Sequence, residues 1–158
     1  MKLDVEKKLE EKNIAYKIFP LSAEAFTVPD VVKYSNHAVK PEEICKTIIV
    51  KTKKTNKIFA FMLKGEDRLS FSKAKKILGE ELTTANPKEV KEASEVEPGA
   101  VCPFLLHVPL YVDKKVLELK NINCGSGHHL YELELKSSDL TKGIDFTLCD
   151  ITKENLSV

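Results

Sequence analysis

Apolar positions recur at helical spacing near the start of the chain and at strand spacing through its middle. Leu3, Val5 and Leu9, with Ile14 behind them, fall toward one face of residues 2–13, while Lys and Glu cover the rest. This pattern predicts an amphipathic helix that stops at Asn13. Tyr16-Lys17-Ile18-Phe19 then alternates as a short strand ended by Pro20. After a loop over 21–27, Thr27 followed by Pro29 and Asp30 has the form of a helix start. The helix carries Val31, Val32 and Tyr34 and breaks at Asn36-His37. Pro41-Glu42-Glu43 opens another helical turn, expected to take in Ile44 and Cys45.

The β-branched run Lys46-Thr47-Ile48-Ile49-Val50-Lys51 predicts a strand. Lys53 to Lys57 form a polar hairpin tip, and Ile58 to Leu63 return as a buried strand. Gly65-Glu66-Asp67 turns the chain. A brief strand is expected over Leu69-Ser70-Phe71, then a helix capped by Ser72, carrying Ala74, Ile77 and Leu78 and stopped by Gly79. Leu82 to Ala85 read as a strand, and Pro87 opens a helix through Val90 and Ala93. Pro109 to Asp113 predict a strand and Lys114 to Leu117 a helical turn. Asn121 to Cys124 lead into a glycine loop, Gly125-Ser126-Gly127-His128-His129. Leu130 to Leu135 alternate, with Tyr131, Leu133 and Leu135 on one face, as a half-buried strand does. Ser137 to Leu140 form a cap and turn, and Phe146 to Cys149 the last strand.

Strands therefore come in hairpin-like pairs with short helices between them, and neither a repeat nor a low-complexity linker interrupts the series. The expected class is α+β: one domain over residues 1–158, with a mixed, mainly antiparallel sheet and short flanking helices. A chain of 158 residues, 42% apolar and 31% charged, is long enough to bury a core. No apolar run approaches the ~20 residues that span a membrane, and the charged start does not read as a signal peptide. The four cysteines, Cys45, Cys102, Cys124 and Cys149, make no C-x-x-C pair. They read as reduced thiols of a cytoplasmic protein. A net charge of +1 excludes binding of nucleic acid by bulk charge, so any RNA contact needs a local patch.

The most distinctive stretch is Pro98-Gly99-Ala100-Val101-Cys102-Pro103-Phe104. Two prolines exclude a helix interior and a central strand, which leaves a stiff loop whose glycine allows close backbone approach. By itself it is a strand connection. Cys124 and His128 lack the partners of a structural zinc site, so no metal is expected. Cys102 with His107, His128 or His129 could form a thiol hydrolase, although Cys102 reads equally as a small apolar wall. Gly125-Ser126-Gly127 precedes a strand and no lysine follows it, so it is neither a P-loop nor a dinucleotide fingerprint. Lys46 opens a buried strand, where it is either a solvated rim residue or a fixed cation for a carbonyl or phosphate. Lys51, Lys53, Lys54 and Lys57 on one hairpin, and Lys73, Lys75 and Lys76 on one helix, are solvated faces that could also meet phosphates.

Taken in order, several segments resemble one family. They are Cys45 to Lys51, Ile58 to Phe61, Arg68-Leu69-Ser70, Lys75 to Gly79, Thr84 to Val90, Pro98 to Phe104, Tyr111 to Asp113, the Gly125/Gly127 loop and Ser138-Asp139-Leu140. Together they resemble the YbaK-like, prolyl-tRNA-synthetase-associated editing domains over roughly residues 15–150. The resemblance implies a curved mixed sheet and a free-standing trans-editing deacylase without a cofactor. Its substrate would be an aminoacyl-tRNA mischarged with Cys, Ala, Ser or Thr, with tRNA-Pro the expected carrier. It also implies that Lys46 holds the terminal phosphate or the substrate carbonyl. The G-x-x-x-P loop from Gly99 through Ala100, Val101 and Cys102 to Pro103 would orient the aminoacyl group and water, assisted by the tRNA's own 2′-hydroxyl. Gly125 and Gly127 would form the rim, and Thr27, ahead of the second helix, is a further pocket residue. Members often read Gly-Gly-Val-Ser-Pro-Phe-Gly where this chain has Ala100, Cys102 and Leu105 at the second Gly, the Ser and the last Gly. Small side chains separate by only ~1–3 kcal/mol per methylene, so the pattern leaves the amino acid open. Two rivals stand beside deacylation: a non-catalytic module that grips a tRNA acceptor end or a synthetase, and a hydrolase using Cys102.

Overall fold

The computed structural model describes residues 2–154. Helix α1 (Asp4–Glu11) buries Val5 and Leu9, and Asn13 leaves it in the left-handed region at φ 56°. Strand β1 (Tyr16–Pro20) follows. Helix α2 (Val28–Tyr34) starts as expected: the Asp30 N–H donates to Thr27 Oγ1 at 3.2 Å, and the Asp30 carboxylate accepts in return from the Thr27 N–H. Strands β2 (Cys45–Thr52) and β3 (Ile58–Lys64) form the central hairpin. Helix α3 (Phe71–Leu78), strand β4 (Leu82–Thr84), helix α4 (Pro87–Ser94) and strand β5 (Leu110–Asp113) come next. The chain then forms β6 (Asn121–Gly125), β7 (Tyr131–Lys136), α5 (Leu140–Gly143) and β8 (Thr147–Cys149).

The α+β class and the mixed, mainly antiparallel pairing are as expected, but the strands are divided between two sheets. One is antiparallel, in the order β1-β7-β6; the other runs β4-β2-β3-β5-β8, with β5 parallel to both of its neighbours. A parallel bridge between Ile44 and Asn123 joins them.

Three local expectations are corrected. Leu69-Ser70-Phe71 is not a strand. Ser70, not Ser72, caps α3 through a hydrogen bond from the Lys73 N–H, and Phe71 is already helical. Cys45 belongs to β2 rather than to the preceding turn, which ends at Glu43. Asn121 to Cys124 are a full strand, completed by pairing with β7. For Cys45 and for Asn121 to Cys124 a partner distant in sequence supplies the hydrogen bonds that local preference assigned elsewhere, whereas the α3 cap is a local bond.

Period-two alternation sorts the core. Ile49, Ala60 and Met62 face the space between the sheets, where they meet Val5, Leu9, Val90, Ile122, Leu133 and Leu140. Val50, Phe61 and Leu63 face the other way and are covered by Ala74 of α3, with Leu69 and Ile151. A full burial of one such side chain contributes ~1.5–3 kcal/mol. A third cluster, Leu21, Ala25, Val31, Val39 and Ile44, holds segment 21–44 in place. That segment also follows the start of β7, with the Leu21 N–H donating to Leu130 O and the Ala25 N–H to His129 O.

Candidate active site

The loop after α4 is wedged between two backbones. Gly99 has φ +100°, and a Cβ there would stand 2.8 Å from Phe26 Cα. A Cβ on Gly125 would run into the Val101 carbonyl oxygen and lie 2.9 Å from the Ala100 carbonyl carbon. The Gly127 N–H donates to Ala100 O at 2.9 Å. Both glycine loops are therefore needed in one place, because only residues without a side chain let three strands of backbone approach this closely. Residues that sequence places 26 positions apart, Gly99 and Gly125, come to line one cavity.

The cavity, about 140 Å³, is lined by Lys46, Thr47, Gly99, Val101, Gly125 and Glu132, with Phe26, Thr27, Val28, Val31, Ile44 and Cys45 completing it. Among the described residues, no protein oxygen accepts from the backbone N–H groups of Gly99 and Val101. Lys46 is half-buried, and its ammonium donates to Asp67 O at 2.6 Å and Gly65 O at 3.1 Å. Desolvation lowers its pKa, and the Asp67 charge opposes that shift. With two N–H bonds tied to the turn after β3, one remains for a ligand. Asp67 is itself buried and meets Lys115 Nζ at 3.3 Å, so the turn that holds Lys46 is anchored.

Of the other expected site residues, Thr27 lines the cavity while its hydroxyl caps α2. Val101 and Gly125 are walls. Gly127 lies behind, in a separate cleft with Glu24, Lys91, Glu95, Val96, Glu97, His128 and His129. Ala100, Cys102 and Pro103 are buried in the core beneath the loop rather than on the cavity wall. Cys102 is fully buried, and desolvation pushes its thiol up to about 12. The histidines are engaged elsewhere. His107 lies 3.4 Å from Glu95, the Leu130 N–H donates to His128 Nδ1, and His129 Nε2 meets Pro98 O at 3.1 Å. No group of metal-ligating side chains is assembled among the described residues. Four of the seven lysines in the two runs have carboxylate partners: Lys51 pairs with Glu89, Lys53 and Lys75 share Glu81, and Lys73 pairs with Asp150.

Residues 22–142 match the family model of the aminoacyl-tRNA editing domain. The chain belongs to this family. A proline–tRNA ligase of Syntrophomonas wolfei is 29% identical over 122 residues, which cover 77% of this chain and 20% of the ligase. The chain thus matches about a fifth of that relative's length. Two crystal structures share its fold. One, of a hypothetical protein, has a TM-score of 0.84 and 24% identity, covering 94% of this chain and 99% of the other. The other, of a proposed trans-editing enzyme for prolyl-tRNA synthetase, has a TM-score of 0.81 and 22% identity, covering 95% of each chain. No helix among the described residues is long and apolar enough to cross a membrane.

Two residues of this site escaped sequence reasoning. Glu132 sits on the face of β7 that alternation assigns to solvent, yet it is only 4% exposed, because segment 21–31 of the editing domain covers that face. Burial raises its carboxyl well above the ordinary carboxylate range. Phe26 is 53% exposed at the cavity mouth, with the His129 ring 4.6 Å away. The loop position of Phe26 carries no periodic signal.

Proposed function

We propose that this editing domain hydrolyses the ester between a small amino acid (Cys, Ala, Ser or Thr) and the 3′ end of a mischarged tRNA, tRNA-Pro in the first instance. The observation that carries this reading is the cavity shared by Lys46 and the Gly99 loop, which holds a cation and free backbone donors but no activated side-chain nucleophile. An aminoacyl ester is already reactive, so positioning and oxyanion stabilisation supply much of what hydrolysis needs. Water attacks the ester carbonyl carbon while the N–H groups of Gly99 and Val101 stabilise the developing oxyanion. The C–O bond to the ribose breaks, and the departing ribose oxygen takes up the proton that the water loses. The remaining N–H of Lys46 addresses the terminal phosphate or the carbonyl. Ala100, Cys102 and Pro103 act beneath the loop by fixing its path, with Gly125 and Gly127 packed against it. The product is free amino acid and uncharged tRNA, and on this reading the protein works in the cytoplasm alongside prolyl-tRNA synthetase.

The test is direct. tRNA-Pro is charged separately with Cys, Ala, Ser, Thr and Pro, and loss of each ester is followed. Hydrolysis of at least one small non-cognate ester with prolyl-tRNA spared supports the reading. Binding of tRNA with every ester intact would instead identify a non-catalytic module for the acceptor end or for a synthetase.

A further inference from the structure

The proposed hydrolysis gives no role to the carboxyl of Glu132 on the cavity wall. It is 4% exposed, and among the described residues no hydrogen bond or ion pair reaches it. Its register partners are Phe19 on β1 and Gly125 on β6, neither of which offers a polar side chain. The titratable groups that sense its charge are three thiols: Cys45 on β2, Cys102 in the loop and Cys124 on β6. The one cation lining the cavity, Lys46, has two of its three donors committed to the carbonyls of Gly65 and Asp67. A buried acid without a partner is costly, and residues that fill space do so better with an apolar side chain. An acid retained on a cavity wall is best accounted for by a ligand that brings its own cation.

We propose that Glu132 is the binding site for the α-ammonium group of the aminoacyl ester, so that the cavity accepts esters of amino acids with a free α-amine and rejects their N-acylated forms. This rests on the editing reading above, and it names the part of the substrate that the loop does not address. Gly99 and Val101, whose N–H groups have no protein acceptor among the described residues, line the cavity together with Glu132. An amino-acid ester offers a carbonyl oxygen and an ammonium separated by one carbon. The apolar remainder, Val28, Val31 and Ile44, is left for a small side chain. Burial raises the Glu132 pKa in the free protein, and an ammonium beside the carboxyl lowers it again, so the formation of a carboxylate–ammonium pair is accompanied by proton release to solvent.

The probes are 3′-(L-alanylamino)-3′-deoxyadenosine, whose amide resists hydrolysis, and its N-acetyl derivative. Calorimetric titration in buffers of different ionisation enthalpy reads affinity and proton release together. The wild type should bind the free amine about 30-fold or more tightly than the acetylated form, the loss usual for one missing partner of a buried charge pair, with net proton release. Glu132→Gln should bind both alike and release none. Equal affinity of the wild type for the two probes, failure to bind either, or a preference that survives Glu132→Gln would overturn the assignment. If Glu132→Gln does not fold, the wild-type preference between the two probes still decides. Deacylation by the wild type separates the two levels. Ester loss without an amine preference retains editing and removes the Glu132 site, whereas an amine preference without ester loss does the reverse.

Discussion

Gly99 stands against the backbone of Phe26, so closely that a Cβ at residue 99 would lie 2.8 Å from Phe26 Cα and 2.9 Å from its carbonyl oxygen. This contact joins the loop after α4 to the N-terminus of α2 and closes one side of the cavity. Gly99→Ala meets both this clash and the left-handed φ of +100°, whereas Gly79→Ala meets only the strain of φ +83°, with open space around it. Gly79→Ala should cost ~1–2 kcal/mol from backbone strain alone and leave deacylation intact. Gly99→Ala should cost more in urea unfolding and lower kcat/KM at least tenfold. Equal effects of the two variants on both measurements would detach the loop from the site.

Lys46 has two duties, and substitutions can separate them. Its ammonium ties down the Gly65–Asp67 turn and leaves one donor for substrate. Lys46→Ala leaves two turn carbonyls without their charged donor, for an expected stability loss of ~1–3 kcal/mol, yet the protein should remain folded. Deacylation should fall by about 100-fold or more, the size expected when an oxyanion or phosphate donor is removed. Thermal unfolding together with single-turnover ester hydrolysis checks both. Unchanged turnover would remove Lys46 from the mechanism.

Glu132 makes stability depend on pH in an unusual direction. Its folded pKa lies above the unfolded value, so between the two the folded protein holds the extra proton. Stability from this group is therefore complete at low pH, and it falls as pH rises from the unfolded pKa of ~4.3 to the raised folded value. Most carboxylates act in the opposite sense. Glu132→Gln should remove this decline, so the difference in unfolding free energy between variant and wild type should shift in favour of the variant as pH increases over that interval. A pH-independent difference would show that the carboxyl is not held neutral.

Cys102 should be inert toward alkylation. Its thiol is fully buried and pushed up to about 12 by desolvation, so little thiolate exists at neutral pH. Iodoacetamide on the native protein should leave Cys102 unmodified by mass spectrometry and deacylation unaffected. Rapid labelling with parallel loss of activity would favour a cysteine hydrolase.

Much of the architecture was legible from local pattern. The β2–β3 hairpin follows from a β-branched run, a polar Lys-rich tip and an apolar return. The Thr27/Asp30 capping box starts α2, Pro87 opens α4, and Gly79 stops α3 in the left-handed region, all consequences of short-range sterics and hydrogen bonding. The motif order also carried the family resemblance, because spacing along the chain is a property of sequence alone.

Tertiary structure decided what those segments do together. Alternation assigned Glu132 to solvent because it reports only two faces of a strand, and segment 21–31 covers the second face locally. The three-stranded sheet depends on β7 pairing with β1 and β6, and its link to the other sheet on the bridge from Asn123 to Ile44, contacts set by the fold rather than by local pattern. Cys102 drew attention as the loop's only thiol, yet packing sends its side chain into the core and leaves backbone on the cavity wall. Sequence determined the parts, since helix caps, turns and alternation are local. Only the fold brought Lys46, Gly99, Gly125 and Glu132 to one cavity, because burial and close backbone approach are properties of segments meeting in space.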